Sequence, residues 1–213
     1  MIIINYKAYN KAIGKNAEKL TEKIEEAAKK TSHKLIVTPQ TADLNRIENK
    51  ETIKYSQHID PVETGSHTGS NQIKTVKQSG ATGTLINHSE KRLEKQEIKQ
   101  IVQKCREEDI TSIVCAQTPE ECRKYSQYKP DYIAFEPPEL IGGNTSVSKA
   151  EPEIIEAAVE KSGKVPTLAG AGIKTKEDVQ KSIERGCKGI LVASGVIKAD
   201  DVQAEVEELC KGL

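Results

Sequence analysis

Eight short runs rich in β-branched residues recur along the chain, and segments of helical period lie between them. The runs are IIINYK (2–7), KLIVTP (34–39), IKYSQHI (53–59), GTLINH (83–88), SIVCA (112–116), DYIAFE (131–136), VPTLAG (165–170) and KGILVAS (188–194). Several are apolar almost throughout, as strands of a parallel sheet covered by helices should be. In the intervening segments Ile13, Ala17, Leu20, Ile24 and Ala27 step by three and four, and so do Ile98, Ile101, Val102 and Cys105. Each set therefore falls on one face of a helix. Helix starts are also legible. Thr118-Pro119-Glu120-Glu121 offers an N-cap, a proline at the first helical position and a capping-box acid. Ser148-Lys149-Ala150-Glu151 repeats the box, and Thr175 and Asp200 open two further helices.

Eight strands, each followed by a helix or a short turn of one, leave two leading architectures. One is a closed (β/α)8 barrel, an α/β fold of eight parallel strands surrounded by helices; the other is an open doubly wound sheet. The count of eight favours the barrel. A dinucleotide site would want G-x-G-x-x-G after the first strand, where this chain has Asn5-Tyr6-Lys7-Ala8. No linker, low-complexity tract or break in composition divides the sequence, so residues 1–213 are expected to form one domain.

Composition removes other function classes. The 32 basic and 32 acidic residues cancel, and no basic stripe is interleaved with aromatics, which argues against a nucleic-acid partner. Apolar runs such as IAF or ILVA fall far short of the roughly 20 residues of a membrane span. The opening MIIINYKAYN lacks a charged leader and a signal-peptide core, so a cytoplasmic location is expected. Five cysteines, at 105, 115, 122, 187 and 210, form no C-x-x-C pair, and their odd number argues against a full disulfide framework. Reduced thiols are the expectation.

Active sites of such barrels lie at the C-terminal ends of the strands. Read in order, those ends hold Asn5 and Lys7; Thr38-Pro39-Gln40; Gln57 and His58; Asn87, His88, Ser89 and Glu90; Glu136; Gly170-Ala171-Gly172; and Ala193-Ser194-Gly195. Small residues after the last two strands let backbone N–H groups gather round an anion, although either motif alone is as well explained as a tight turn. A lysine ending a buried strand needs an anion, which substrate or a core acid can supply. His88 alone reads as a structural histidine, and Glu136 alone as a partner for Lys7. Together they offer a base, a neutral hydrogen-bond donor and a cation at one mouth beside a phosphate cradle. That set suits abstraction of a proton next to a carbonyl in a small sugar phosphate.

On NYKAYN, SQHIDPVETGSHTG, TLINHSEKR, FEPPELIGG, AGAGI and LVASGV, in that order along essentially the whole chain, the sequence resembles the triosephosphate isomerases, the shorter archaeal form in particular. At 213 residues it is below the roughly 250 typical of these barrels. The resemblance implies interconversion of dihydroxyacetone phosphate and D-glyceraldehyde 3-phosphate through an enediolate, in glycolysis and gluconeogenesis, with no metal and no cofactor. It implies Glu136 as base, His88 as electrophile, and Asn5 with Lys7 as the strand-one pair that holds phosphate and stabilises developing charge. Glu90, with Ser89 beside it, supports the site by orienting Lys7. Ile141 and Gly142 belong to a loop that closes over substrate, and Gly172, Ala193 and Ser194 donate backbone N–H groups to the phosphate. A neutral imidazole would be needed for His88, and the family is itself the standard example of that tuning.

The sequence departs from the family at two points. The closing loop ends Gly142-Gly143-Asn144-Thr145-Ser146, where archaeal members usually carry Gly-Thr-Gly and then a short apolar or proline step. Paired glycines loosen that hinge, while Asn144 can still adopt a left-handed conformation. The strand-two end, Thr38-Pro39-Gln40-Thr41-Ala42, is more polar than the family pattern. By the same analogy, loop 65–69 (Gly65-Ser66-His67-Thr68-Gly69) enters a neighbouring subunit of a homo-oligomer, a tetramer rather than a dimer in archaeal members. Two rival readings differ in kind: another phosphate-binding barrel enzyme acting on a larger phosphorylated intermediate, and a scaffold that has kept the barrel without the chemistry. The first needs a roomier mouth, and the second predicts erosion of a catalytic set that is present in full.

Overall fold

In a computed structural model, which describes residues 1–138 and 152–213, eight parallel strands close into a barrel. They are β1 (Ile2–Asn5), β2 (Leu35–Thr38), β3 (Ile53–Ser56), β4 (Gly83–Ile86), β5 (Thr111–Ala116), β6 (Tyr132–Phe135), β7 (Thr167–Gly170) and β8 (Ile190–Val192). Each pairs with the next, and β8 returns to β1, so that Ile3 lies opposite both Ile36 and Leu191. The open-sheet alternative is thereby excluded. The described α-helices are α1 (Lys15–Lys30), α2 (Ile73–Gln78), α3 (Lys95–Glu107), α4 (Pro119–Ser126), α5 (Pro152–Ser162), α6 (Lys176–Glu184), α7 (Ser194–Ile197) and α8 (Val202–Cys210). Between β2 and β3 there is only a single 3-10 turn, Thr41–Asp43.

The near-continuous apolar character of the strands now has its cause. Side chains alternate across a strand, and here both faces are buried. Ile3, Ile36, Tyr55, Leu85, Ile113, Cys115, Ala134, Leu168 and Leu191 fill the barrel interior. Their neighbours Ile2, Ile4, Leu35, Val37, Ile86, Val114, Ile133, Phe135, Ala169 and Ile190 face the helices, in a second, outer core. Helix α1 contributes Ala17, Leu20, Ile24 and Ala27 to that outer core, as the spacing predicts. Ile13 does not join them. It precedes the helix and is 36% exposed, while Ala12 in the preceding 3-10 turn (Asn10–Ala12) is buried instead.

The caps refine the sequence reading. The Thr118 hydroxyl accepts from the Glu121 N–H, but the Glu121 carboxylate reaches the Gln117 N–H rather than closing the box on Thr118. Thr175 and Asp178 form a full capping box on α6. The last helix is capped by Asp201, one residue later than Asp200, through a bond from the Ala204 N–H. The box at Ser148–Glu151 lies outside the described residues. All five cysteines are free and buried, and burial pushes the thiols of Cys105, Cys122 and Cys187 up to about 12. Such thiols are poor nucleophiles.

Where the β2–β3 helix is missing, a lysine takes over part of the cover. Lys54, 5% exposed on β3, donates to the Leu44 and Ile47 carbonyls at 2.7 and 3.0 Å. Glu25 of α1 then fixes the strand entrance, accepting from the N–H groups of Lys50, Glu51 and Thr52 and from the Thr52 hydroxyl. No helix among the described residues is long and apolar enough to cross a membrane.

Candidate active site

The inward-facing set of each strand continues upward into the mouth. On β1 Ile3 is followed by Asn5; on β6 Ala134 is followed by Glu136; on β7 Leu168 is followed by Gly170. Alternation thus delivers Asn5, Glu136 and Gly170 to one layer directly above the interior core. Gly170 lies so close beneath Glu136 that a Cβ there would stand 2.6 Å from the Glu136 Cγ.

His88 breaks the alternation, and a backbone feature re-aims it. Asn87 adopts φ 63°, with its side chain anchored by donating to the Cys115 carbonyl and accepting from the Leu93 N–H. Lys7 likewise has φ 48°, and its N–H is held by the Asn5 side chain at 3.0 Å. Ala171, at φ 88°, is a third. Non-glycine residues seldom occupy this region, and such strain collects at functional sites.

A cavity of about 280 Å3 lies among these groups, lined by Asn5, Lys7, His88, Glu90 and Glu136 on one side and by Gly172, Ala193 and Ser194 on the other. Lys7 Nζ meets Glu90 Oε1 at 2.7 Å, so the partner of the strand-one lysine is Glu90 and not Glu136. The Glu90 N–H donates to His88 Nδ1 at 3.2 Å. A ring nitrogen that accepts from an N–H carries no proton, which in a neutral imidazole leaves the proton on Nε2. His88 Nε2 is 3.6 Å from Glu136 Oε1, beyond hydrogen-bond length. Glu136 is 6% exposed, and its Oε2 is buried with no partner among the described residues. The Ser89 hydroxyl is also buried without a partner, and Ser89 is not among the described lining residues.

On the opposite side, Gly172 adopts φ 69°, a conformation glycine takes without cost. Ala193 precedes the first turn of α7, where N–H groups have no intrahelical acceptor. Ile141, Gly142, Gly143 and Asn144 lie outside the described residues. Loop 65–69 is exposed, and its base is tied by bonds between Asp60 and Asn71 and between His58 Nε2 and Asp60 Oδ1, at 2.9 Å. The sequence reading missed Tyr9, Ile173, Lys174, Leu191 and Val192, which also line the cavity. The two strand-eight residues read as core, and nothing local marks the other three.

A closed barrel with a carboxylate, an imidazole and a lysine at its mouth, opposite glycine-rich turns after β7 and β8, is a phosphate-handling (β/α)8 enzyme. Residues 1–211 match the family model for triosephosphate isomerase. The triosephosphate isomerase of Methanothermus fervidus is 44% identical over 199 residues, covering 91% of this chain and 90% of the relative. Those of Saccharolobus solfataricus, 44% identical over 198 residues, and Methanocaldococcus jannaschii, 41% over 199, cover 91% of this chain and 87% and 91% of their own. The chain belongs to the triosephosphate isomerase family.

Proposed function

We propose that this enzyme interconverts dihydroxyacetone phosphate and D-glyceraldehyde 3-phosphate, with Glu136 moving the proton between the two reacting carbons. The observation that carries the assignment is the pair formed by Glu136 and His88. One carboxylate oxygen is unpartnered, and the other faces an N–H donor across 3.6 Å. Substrate set between them presents a C–H to the carboxylate and its carbonyl oxygen to His88 Nε2–H.

Removal of the proton leaves an enediolate. The His88 N–H and the Lys7 ammonium stabilise the negative charge as it develops, and donors fixed in advance are worth most there. Transfer of the hydroxyl proton from one enediolate oxygen to the other, at the face held by His88 Nε2, and protonation of the neighbouring carbon by the Glu136 carboxyl together complete the isomerisation. Glu90 acts on both helpers: its carboxylate orients Lys7, and its backbone N–H fixes the tautomer of His88. Asn5 holds the Lys7 backbone. The phosphate is assigned to the N–H groups of Gly172, Ala193 and Ser194. Ile141 and Gly142 are assigned to a covering loop that keeps water from the enediolate, which would otherwise lose phosphate. The cavity, about 280 Å3, is at the small end for ligand sites. A second cavity of about 430 Å3 shares Asn5, Lys7, His88 and Glu90 with it, so size alone does not separate a triose from a larger phosphorylated ring.

The enzyme is assigned to the cytoplasm and to a homo-oligomer in which loop 65–69 meets a neighbouring subunit, a tetramer before a dimer. Sedimentation of the purified protein distinguishes the two, and a monomer would remove the interface. For the reaction itself, a coupled assay with glyceraldehyde 3-phosphate is expected to show turnover that EDTA leaves unchanged. A folded protein without turnover overturns the reading.

A further inference from the structure

The charged side chains lining the cavity within the described residues are two lysines, Lys7 and Lys174, and two glutamates, Glu90 and Glu136. Their charges cancel, and Lys7 is already countered by Glu90 at 2.7 Å. A phosphate dianion approaching this mouth gains little net attraction from them. Lys198, which follows α7 directly and is not itself a lining residue, has its Nζ 5.1 Å from the centroid of the Tyr9 ring, which does line the cavity. Lys11 Nζ donates to the Lys198 carbonyl at 3.5 Å, a second tie between the β1 loop and the end of α7. Among the described residues Lys198 forms no ion pair with a carboxylate.

We propose that Tyr9 and Lys198 form an electrostatic specificity element for the phosphate end of the substrate, Tyr9 holding the Lys198 ammonium at the lip of the cavity. The proposal rests on the phosphate reading of the same cavity and adds a residue pair to it. The choice of an aromatic partner has a physical consequence. A carboxylate would hold the ammonium but cancel its field, whereas the face of a ring holds a cation and leaves its full charge in place. The lysine is exposed, so its reach is set by the Debye length, and its effect falls as salt rises. It acts on capture of the dianion and not on proton transfer, since neither residue is among the groups assigned to the reacting carbons.

The test compares Lys198→Gln, Tyr9→Leu and Tyr9→Phe at low and high ionic strength. It uses KM and kcat for glyceraldehyde 3-phosphate, with calorimetric binding of inorganic phosphate as a readout independent of turnover. At low salt Lys198→Gln is expected to raise KM and the phosphate Kd about fourfold, the scale for a unit charge and a dianion about 10 Å apart in water. Its kcat stays within about twofold, and the gap closes at about 0.5 M salt, where the Debye length is well under 10 Å. Tyr9→Leu weakens binding in the same salt-dependent way, and Tyr9→Phe, which keeps the ring, recovers most of the loss. Unchanged KM and phosphate Kd in Lys198→Gln at low salt overturn the proposal. So does Tyr9→Phe binding as weakly as Tyr9→Leu. A parent protein that binds phosphate without isomerising substrate overturns the isomerase reading alone, because the phosphate Kd series still decides the role of the pair.

Discussion

The two ends of the barrel are built from the same strands and solve opposite problems. At the lower end, where strands begin, Ser112 and Asp131 close each other off. Asp131 Oδ2 accepts from both the N–H and the hydroxyl of Ser112, at 2.8 Å each, and the Ser112 hydroxyl accepts in turn from the Asp131 N–H. Met1, Ile53 and Tyr132 pack against the interior core, and the Tyr55 ring occupies the space left by Gly83. At the upper end, Thr38 Oγ1, Glu136 Oε2 and Ser89 Oγ are buried without partners among the described residues, and Lys7, Asn87 and Ala171 hold left-handed backbone. The separation is partial: near the strand beginnings the Thr31 and Thr167 hydroxyls and Arg185 Nε are also buried without hydrogen-bond partners among the described residues, and Ser32, Asp109 and Lys129 there also take positive φ. At the lower end the Ser112–Asp131 pair contributes stability by satisfying both partners. The upper end leaves a base and a donor unsatisfied in a scaffold stiff enough to keep them so, which substrate can then complete.

The contrast breaks if mouth substitutions cost stability or floor substitutions cost turnover. The largest expected effect is Glu136→Asp, which withdraws the carboxylate by one methylene: kcat falls by about 10²-fold or more, the scale of general-base catalysis. Thermal melting should stay close to the parent, and an unchanged rate would remove the base assignment. Next is Gly170→Ala. Its Cβ would meet the Glu136 Cγ at 2.6 Å and must displace it, so kcat is expected to fall about 10- to 100-fold, as misplacements of about 1 Å do. Loss of melting temperature without loss of rate would show that Gly170 is merely a packing glycine.

At the floor the signs reverse. Asp131→Ala strands the Ser112 N–H and is expected to cost about 1–3 kcal/mol in denaturant unfolding, with kcat within about twofold of the parent. The smallest effect concerns Glu25. Burial alone would raise its carboxyl, but the Thr52 hydroxyl and the N–H groups of Glu51, Thr52 and Lys50 outweigh that and hold it below the usual range. A carboxyl lowered in the folded state stabilises fully above its unfolded value of about 4.3, and the gain is lost as pH falls through the lowered value. Glu25→Gln should therefore melt a few degrees below the parent at pH 7, since about 1 kcal/mol shifts a chain of this size by about 2–4 °C. The gap should narrow towards pH 3, and a gap that widens would contradict the sign.

The strands were legible because most are apolar on both faces, which leaves little competing pattern; β3, with Lys54 and Ser56 on its outer side, is an exception. Their ends were not. The runs 2–7 and 83–88 were read two residues too long, because Lys7 and Asn87 turn the chain left-handed while keeping strand-like neighbours in sequence. Asn5, Lys7, His88 and Glu136 were found as strand-end polar residues, and the cavity brings all four together. The pairing of Lys7 with Glu90, 83 residues away, came only with the family resemblance. Gly170 beneath Glu136 and Lys198 over Tyr9 had no signal, because each depends on strands β6 and β7, or the β1 loop and α7, being adjacent in space. A glycine in a GAG turn looks the same whether or not a side chain rests on it.

The gap between β2 and β3 has one more consequence. Every amide around this barrel is screened from solvent by the layer outside it, and in this sector that layer is a turn hung on the Lys54 ammonium in place of a packed helix. Local openings follow the thinnest cover. Hydrogen exchange should begin at β2 and β3 and move round the ring, so that a closed, nearly symmetrical barrel unzips from one assigned seam.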